Sequence, residues 1–244
     1  MITIYKALQK KSAANKKQLA VLIDPDKASL TSLKKIVKLA NQANIGYFFL
    51  GGSLLMKNPQ EEVIIFLRDH TDIPVLLFPG NNLQLNDKAH GILLLSLISG
   101  RNAEMLIGRH VISAPFLKTS HLEILPTGYM LIDSGCTTTV AYMSNTTPLP
   151  ANKPEIAACT AMAGEMLGLK IIYMDAGSGA RNPVPAPMIA KVKESVNIPL
   201  IIGGGICTPA LAKTAWQSGA DIVVVGNAIE KDPTLIAQIA REIE

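Results

Sequence analysis

Three sets of residues in the chain have types and spacings that could do chemistry. Apolar runs end in Gly203-Gly204-Gly205 and in Gly226-Asn227. Consecutive glycines suit a phosphate, because bare backbone N–H groups can close on its oxygens with no Cβ in the way. Tight turns without a ligand are the plainer reading of the same residues. The stretch Tyr173-Met174-Asp175-Ala176-Gly177-Ser178-Gly179 sets a carboxylate beside two glycines and a hydroxyl. Beside phosphate loops, Asp175 reads as a general base or as the anchor of a substrate hydroxyl; alone, it would read equally well as a turn or helix-capping Asp. Asp24-Pro25-Asp26 is a pair of carboxylates, and Ser53 is a nearby kind of neutral oxygen at another strand end. Hard oxygen donors of this sort point to Mg²⁺, which takes oxygen ligands and bridges substrate phosphates. Asp26 has a second reading, since Asp26-Lys27-Ala28-Ser29 could simply begin a helix.

Each of these sets lies at the end of one or more apolar runs. The runs at 19–23, 47–50, 75–78, 92–95, 129–132, 171–174, 200–202 and 222–225 are short, nearly continuous in apolar residues and often β-branched. Strands buried on both faces look like this. Helical patterns lie between most of them. In 29–43, Leu30, Leu33, Ile36, Val37, Ala40 and Ala43 follow a 3.6-residue period, with Ser29 placed to cap. Segments 155–167, 188–196, 209–218 and 233–243 read similarly. Eight strands alternating with helices in 244 residues predict a single-domain (β/α)8 TIM barrel spanning 1–244, a fold that typically takes about 250 residues. A doubly wound open sheet is the alternative. In a barrel the strand C-termini gather the active site, which brings all three sets to one mouth.

Two connections are irregular. Only PGNNLQLNDKAHG separates the third strand from the fourth, so the third helix is expected to be missing or shortened. A gap in the helix ring there would bare apolar strand surface as a groove for an apolar ligand, or be merely a short connection. Conversely, 133–153 is long, polar and rich in Thr, Ser and Pro, the composition of a structureless functional lid.

Composition removes other classes. Hydrophobic residues make up 48% and charged residues 17%, which argues against disorder. The mean hydropathy of +0.28 belongs to buried strands, because the longest charge-free stretches are broken by Pro and Gly or fall far short of the ~20 residues of a spanning helix. No signal-type h-region follows the first Met, and a cytoplasmic location is expected. The net charge of +4, from 23 Lys+Arg against 19 Asp+Glu, comes without interleaved aromatics, and no nucleic-acid partner is expected. The cluster Lys10, Lys11, Lys16 and Lys17 reads as a solvated face that would also suit transient contact with an anionic membrane surface. Cys136, Cys159 and Cys207 have no disulfide or zinc spacing. His70, His90, His110 and His121 read as surface residues.

Taken together, LAVLIDPDK, FFLGGS, FPG, YMDAGSGA, PLIIGGGI and GADIVVVGN resemble the geranylgeranylglyceryl phosphate synthase family, which includes the bacterial heptaprenylglyceryl phosphate synthases. The resemblance runs from about residue 16 to the C-terminus, with each motif ending a predicted strand. It implies a prenyltransferase that joins sn-glycerol 1-phosphate to a prenyl diphosphate, geranylgeranyl diphosphate above all, as an ether, releasing diphosphate with Mg²⁺. Carried over by motif, Asp24 and Ser53 would hold Mg²⁺. Tyr173, Met174, Asp175, Ala176, Gly177, Ser178 and Gly179 would hold the glycerol phosphate, with Gly204, Gly205, Gly226 and Asn227 on its phosphate. The family commonly has Glu where this chain has Asp175, one methylene shorter, which changes the reach of the base. The YMSNTTPLP loop is similar to a variant subgroup and implies a homo-oligomer, dimer or hexamer. A sugar-phosphate isomerase would share the glycine loops without a prenyl substrate or metal, and a non-catalytic phosphate binder would share them without turnover.

Overall fold

The computed structural model describes residues 3–57 and 59–243. Eight parallel strands close into a barrel in chain order: β1 (Gln18–Ile23), β2 (Tyr47–Leu50), β3 (Val75–Leu77), β4 (Gly91–Leu97), β5 (Glu123–Leu131), β6 (Ile171–Asp175), β7 (Leu200–Gly203) and β8 (Ile222–Val225). Pairing of β1 with β8 completes the ring, so the TIM barrel holds and the open sheet does not. The closure explains why the strands are apolar throughout. Alternate residues face the lumen, where Phe49, Leu93, Tyr173 and Ile201 pack, or the helix layer, where Phe48, Ile172, Met174 and Ile202 pack.

Around the barrel lie α2 (Leu30–Ala43), α3 (Gln60–His70), α4 (Arg109–Thr119), α6 (Pro154–Met166), α7 (Ala186–Ser195) and α8 (Pro209–Gln217). Ser29 caps α2 in a reciprocal capping box with Ser32. Helix α1 (Ile4–Ala13) had no signal in the reading of the sequence. It closes the N-terminal end of the barrel: Leu8, 2% exposed, joins the lumen cluster. The Glu123 carboxylate at the start of β5 accepts the N–H groups of Ile4 and Tyr5 at 2.6 and 2.8 Å, satisfying orphan donors of the first turn. Lys10 and Lys11 occupy the last turn of this helix, where positive charge complements the dipole. The basic cluster therefore sits at the end of the barrel away from the mouth.

Among the described residues no helix follows β3. The 78–90 connection crosses as a strap, pinned by the buried side chain of Gln84, whose Nε2 donates to the Gly52 carbonyl and whose Oε1 accepts the Gly80 N–H, both at 3.0 Å. The expectation of a missing third helix holds. Other boundaries moved. β5 begins six residues before the expected 129–132, because Pro126, Thr127 and Gly128 look like turn chemistry yet continue a ladder with β4. Segment 104–119 gave no helical pattern; it opens as a π-helical turn, Glu104–Gly108, and carries Pro115 inside α4. The expected helix 233–243 is narrower, α10 (Leu235–Ala240), and follows a short α9 (Asn227–Lys231). Segment 133–153 is not structureless. It holds α5 (Thr139–Ser144), ended by Asn145 in the left-handed conformation, and Leu149 bridges to Ile132.

Asp221 ties the N-terminal ends of β7 and β8. Only 1% exposed, its Oδ2 accepts the Leu200 N–H at 2.8 Å and the Lys193 ammonium at 2.7 Å. Truncation would leave a buried N–H without a partner, while Lys193, partly exposed, can turn to water. Asp221→Ala is therefore expected to lose about 1–3 kcal/mol, read as a lowered urea midpoint at unchanged slope. An unchanged midpoint would remove Asp221 from the stability of the barrel.

Candidate active site

A cavity of about 700 Å³ opens at the C-terminal ends of the strands. Strand alternation decides who reaches it. Tyr173 and Asp175 of β6 point inward and line it, together with Gly177, Ser178 and Gly179 of the following turn. Met174 and Ala176, expected among the binding residues, do not line it. Their side chains face outward into the layer between strands and helices, and the Ala176 N–H is spent on the Gly203 carbonyl at 3.1 Å. A strand that offers residue 175 to the lumen must turn 174 and 176 away.

The glycine turns line the same cavity. Gly204 and Gly205 sit at φ +78° and +71°, and Gly177 and Gly179 at +89° and +79°, conformations that a Cβ disfavours. Gly204 also has no room for one: it would lie 2.5 Å from Asp175 Oδ1 and 2.6 Å from the Gly177 nitrogen. Across the mouth the Asn227 amide donates to Ser178 Oγ at 2.9 Å, joining the β8 end to the β6 end. Gly226 completes this wall.

Asp175 is 7% exposed. Its Oδ1 accepts the Gly177 N–H at 2.7 Å, and its Oδ2 accepts the Tyr129 hydroxyl at 2.6 Å. Burial raises its pKa above the ordinary carboxylate value, opposed by those two hydrogen bonds. Tyr129 was not among the expected site residues. The structure places it by register: Tyr129 pairs with Tyr173 and Leu131 with Asp175, which puts the phenol on the inward face. Burial and the neighbouring Asp175 hold the Tyr129 phenol well above its usual pKa, so it stays protonated. Phe78 stacks on Tyr173 with centroids 5.1 Å apart, and Tyr129 lies 5.5 Å from Tyr173.

At the β1 end, Asp24 lines the cavity with Ser53. Its carboxylate lies against Gly52, where a Cβ would come within 3.7 Å of it. One oxygen accepts the Asp26 N–H at 3.1 Å, and the other meets the Lys27 ammonium at 2.9 Å. Glu230, on α9 and also missed, accepts the Asp24 N–H at 3.2 Å and faces Lys27 at 3.5 Å. Burial works against the Lys27 charge, but Asp24 and Glu230 outweigh it and raise the pKa. Asp26 turns elsewhere: its carboxylate accepts the N–H groups of Met56 and Lys57 and so holds the loop after β2. It does not begin a helix; Ser29 does.

Behind the strap a narrower groove of about 150 Å³ runs between β4 and the start of α4, walled by Leu85, Leu94, Leu95, Leu97, Met105 and Met143. It shares Gly52, Ser53, Phe78, Tyr129 and Val140 with the polar cavity, so the two meet. His110, expected at the surface, borders the groove, with Nε2 2.8 Å from the Leu95 carbonyl.

The PcrB family profile matches residues 12–243. The chain belongs to the PcrB family. A geranylgeranylglyceryl phosphate synthase of Spirosoma linguale is 54% identical over 93% of this chain and 91% of its own. That of Korarchaeum cryptofilum is 34% identical, covering 93% of each. The crystal structure of (S)-3-O-geranylgeranylglyceryl phosphate synthase from Thermoplasma acidophilum in complex with sn-glycerol-1-phosphate superposes with a TM-score of 0.93 at 30% identity, covering 100% of this chain and 99% of that one. Among the described residues of this PcrB-family chain, no three His, Cys, Asp or Glu side chains cluster as a metal cage, and no helix is long and apolar enough to cross a membrane. Asp24 and Ser53 still fit Mg²⁺, which keeps several waters and binds through one or two protein oxygens plus substrate phosphates rather than a full cage.

Proposed function

We propose that this chain transfers the prenyl group of a prenyl diphosphate, geranylgeranyl diphosphate foremost, to the sn-3 hydroxyl of sn-glycerol 1-phosphate, forming an ether and releasing diphosphate. The observation that carries this reading is the junction of two unlike compartments at Tyr129, whose hydroxyl bonds Asp175. A polar cavity walled by glycine turns suits a small phosphate ester. An apolar groove under the missing third helix suits a hydrocarbon chain, for which an isomerase of sugar phosphates has no use. The relatives and the Thermoplasma acidophilum complex support the same assignment.

In this reading Gly204, Gly205, Gly226 and Asn227 hold the phosphate and Ser178 lies at the glycerol, fixing the sn-3 hydroxyl beside Asp175 at high effective concentration. The bond between the allylic carbon and the diphosphate oxygen breaks with its electron pair on the diphosphate. The glycerol oxygen bonds to that carbon and gives up its proton, with Asp175 as the terminal base. The aromatic rings of Phe78 and Tyr129 line both compartments, and an aromatic ring can stabilise developing positive charge. Bound between Asp24 and Ser53, Mg²⁺ would neutralise charge on the departing diphosphate.

The test is turnover of radiolabelled sn-glycerol 1-phosphate with Mg²⁺ and prenyl diphosphates of increasing length offered singly. The sn-3 phosphate enantiomer and EDTA serve as controls. A lipid product selective for the enantiomer and lost with EDTA supports the assignment. Binding of glycerol phosphate without product from any donor would overturn it, and full turnover in EDTA would remove Mg²⁺ from Asp24 and Ser53.

A further inference from the structure

The Asp175 carboxylate has no oxygen left without a hydrogen bond. Oδ1 receives the Gly177 N–H and Oδ2 the Tyr129 O–H, and among the described residues only these two bond it. The group lying between Asp175 and the apolar groove is the Tyr129 hydroxyl. Tyr129 borders both compartments, whereas Asp175 borders only the polar one. A phenolic oxygen has one hydrogen to donate and lone pairs to accept with. Here the hydrogen is committed to Asp175, which leaves the lone pairs for a hydroxyl arriving at the junction. Tyr173 is placed differently: its hydroxyl lies against Gly203, within 2.5 Å of where a Cβ would stand, toward the phosphate turns.

Resting on the prenyl-transfer reading above, we propose that Tyr129 is a catalytic proton relay, the atom that touches the reacting hydroxyl, with Asp175 as the final acceptor behind it. As the glycerol oxygen bonds to the allylic carbon and the diphosphate leaves with its electron pair, the glycerol proton passes to Tyr129 Oη. The phenolic proton passes to Asp175 Oδ2 in the same event. Tyr129 ends neutral, as it began, and Asp175 ends as the carboxylic acid. No phenolate forms, which agrees with a phenol buried beside a carboxylate. The relay also places a proton acceptor at the groove that Asp175 does not border.

Tyr129→Phe removes one oxygen and keeps the ring against Tyr173. The expected result in single-turnover assays is a rate lower by about 10² or more, with the KM for sn-glycerol 1-phosphate moved less than about threefold, since the phosphate turns are untouched. Asp175→Glu combined with Tyr129→Phe is expected to recover at least about tenfold of the loss, because the added methylene carries a carboxylate oxygen toward the vacated place. In wild-type protein the rate against the D₂O fraction is expected to curve, as two protons in flight require. A Tyr129→Phe rate within about threefold of wild type would overturn the relay, as would a linear D₂O dependence in the wild type. These outcomes differ from failure of the prenyl-transfer reading itself, in which wild-type protein yields no lipid product.

Discussion

Asp175→Asn is expected to keep the barrel folded and to lower turnover by about 10²–10⁴-fold, the range for loss of a positioned base. The fold survives because the amide can serve the same partners. Its oxygen accepts the Gly177 N–H, and its NH₂ donates to Tyr129, whose hydroxyl reverses its role. What disappears is the capacity to hold a proton. The pH dependence separates this from a general loss of structure. In the wild type the rate falls as acid protonates Asp175, and burial raises that pKa, so the acid limb of kcat/KM lies above the ordinary carboxylate value of about 3.9. In the variant that limb is absent. Stability moves with the opposite sign. The folded pKa exceeds the unfolded one, so between the two the folded state keeps a proton that the unfolded chain has released. Ionisation of Asp175 thus costs stability, a cost that enters as pH rises through that window and persists above it. The variant lacks that cost and is expected to melt no lower than wild type at neutral pH. Rates within about tenfold of wild type would remove Asp175 as the terminal base.

The barrel was legible because its strands are buried on both faces, and nothing but β-branched and apolar runs satisfies such a position. Runs at 47–50 and 222–225 fall on β2 and β8 to the residue. The mouth was legible for a related reason: glycines at Gly204, Gly205 and Gly177 are forced by positive φ and by crowding, and both constraints leave a mark in sequence. The partners of Asp175 and Asp24 were not. Tyr129 lies 46 residues from Asp175 and Glu230 lies 206 from Asp24; pairing of β5 with β6 brings the first two together, and closure of the ring the second. Met174 and Ala176 do not line the cavity because a motif read as a string counts consecutive residues, while a strand presents alternate ones. Segment 133–153 hid α5 since Thr and Ser are poor helix formers in isolation, and it is the bridge of Leu149 to Ile132 that anchors the segment.

The other large effect belongs to Gly204→Ala, which is expected to raise the KM for sn-glycerol 1-phosphate at least about tenfold and to lower kcat with it. Two costs meet at this position. At φ +78° a Cβ is strained by roughly 1–2 kcal/mol, and it would stand 2.5 Å from Asp175 Oδ1, 2.6 Å from the Gly177 nitrogen and 2.7 Å from the Ala176 nitrogen. Two of these are backbone atoms, and the third belongs to a carboxylate held by two hydrogen bonds. Backbone at the ends of β6 and β7 must separate, which strains the Ala176 N–H bond to Gly203 at 3.1 Å and swings the base out of line with the phosphate turn. Gly179→Ala supplies the comparison. Its φ is +79°, almost the same, but a Cβ there meets nothing within 4 Å. It therefore carries the backbone strain alone and is expected to change KM by less than about threefold. Overpacking adds about 1–3 kcal/mol at Gly204, so its melting temperature is expected to fall some 2–12 °C further than that of Gly179→Ala, at about 2–4 °C per kcal/mol for a chain of this size. Equal losses in the two variants would mean that left-handed backbone, not the packing of Gly204 on Asp175, is what the site requires. A loss confined to Gly204→Ala would tie substrate binding to the contact between the β7 turn and the base.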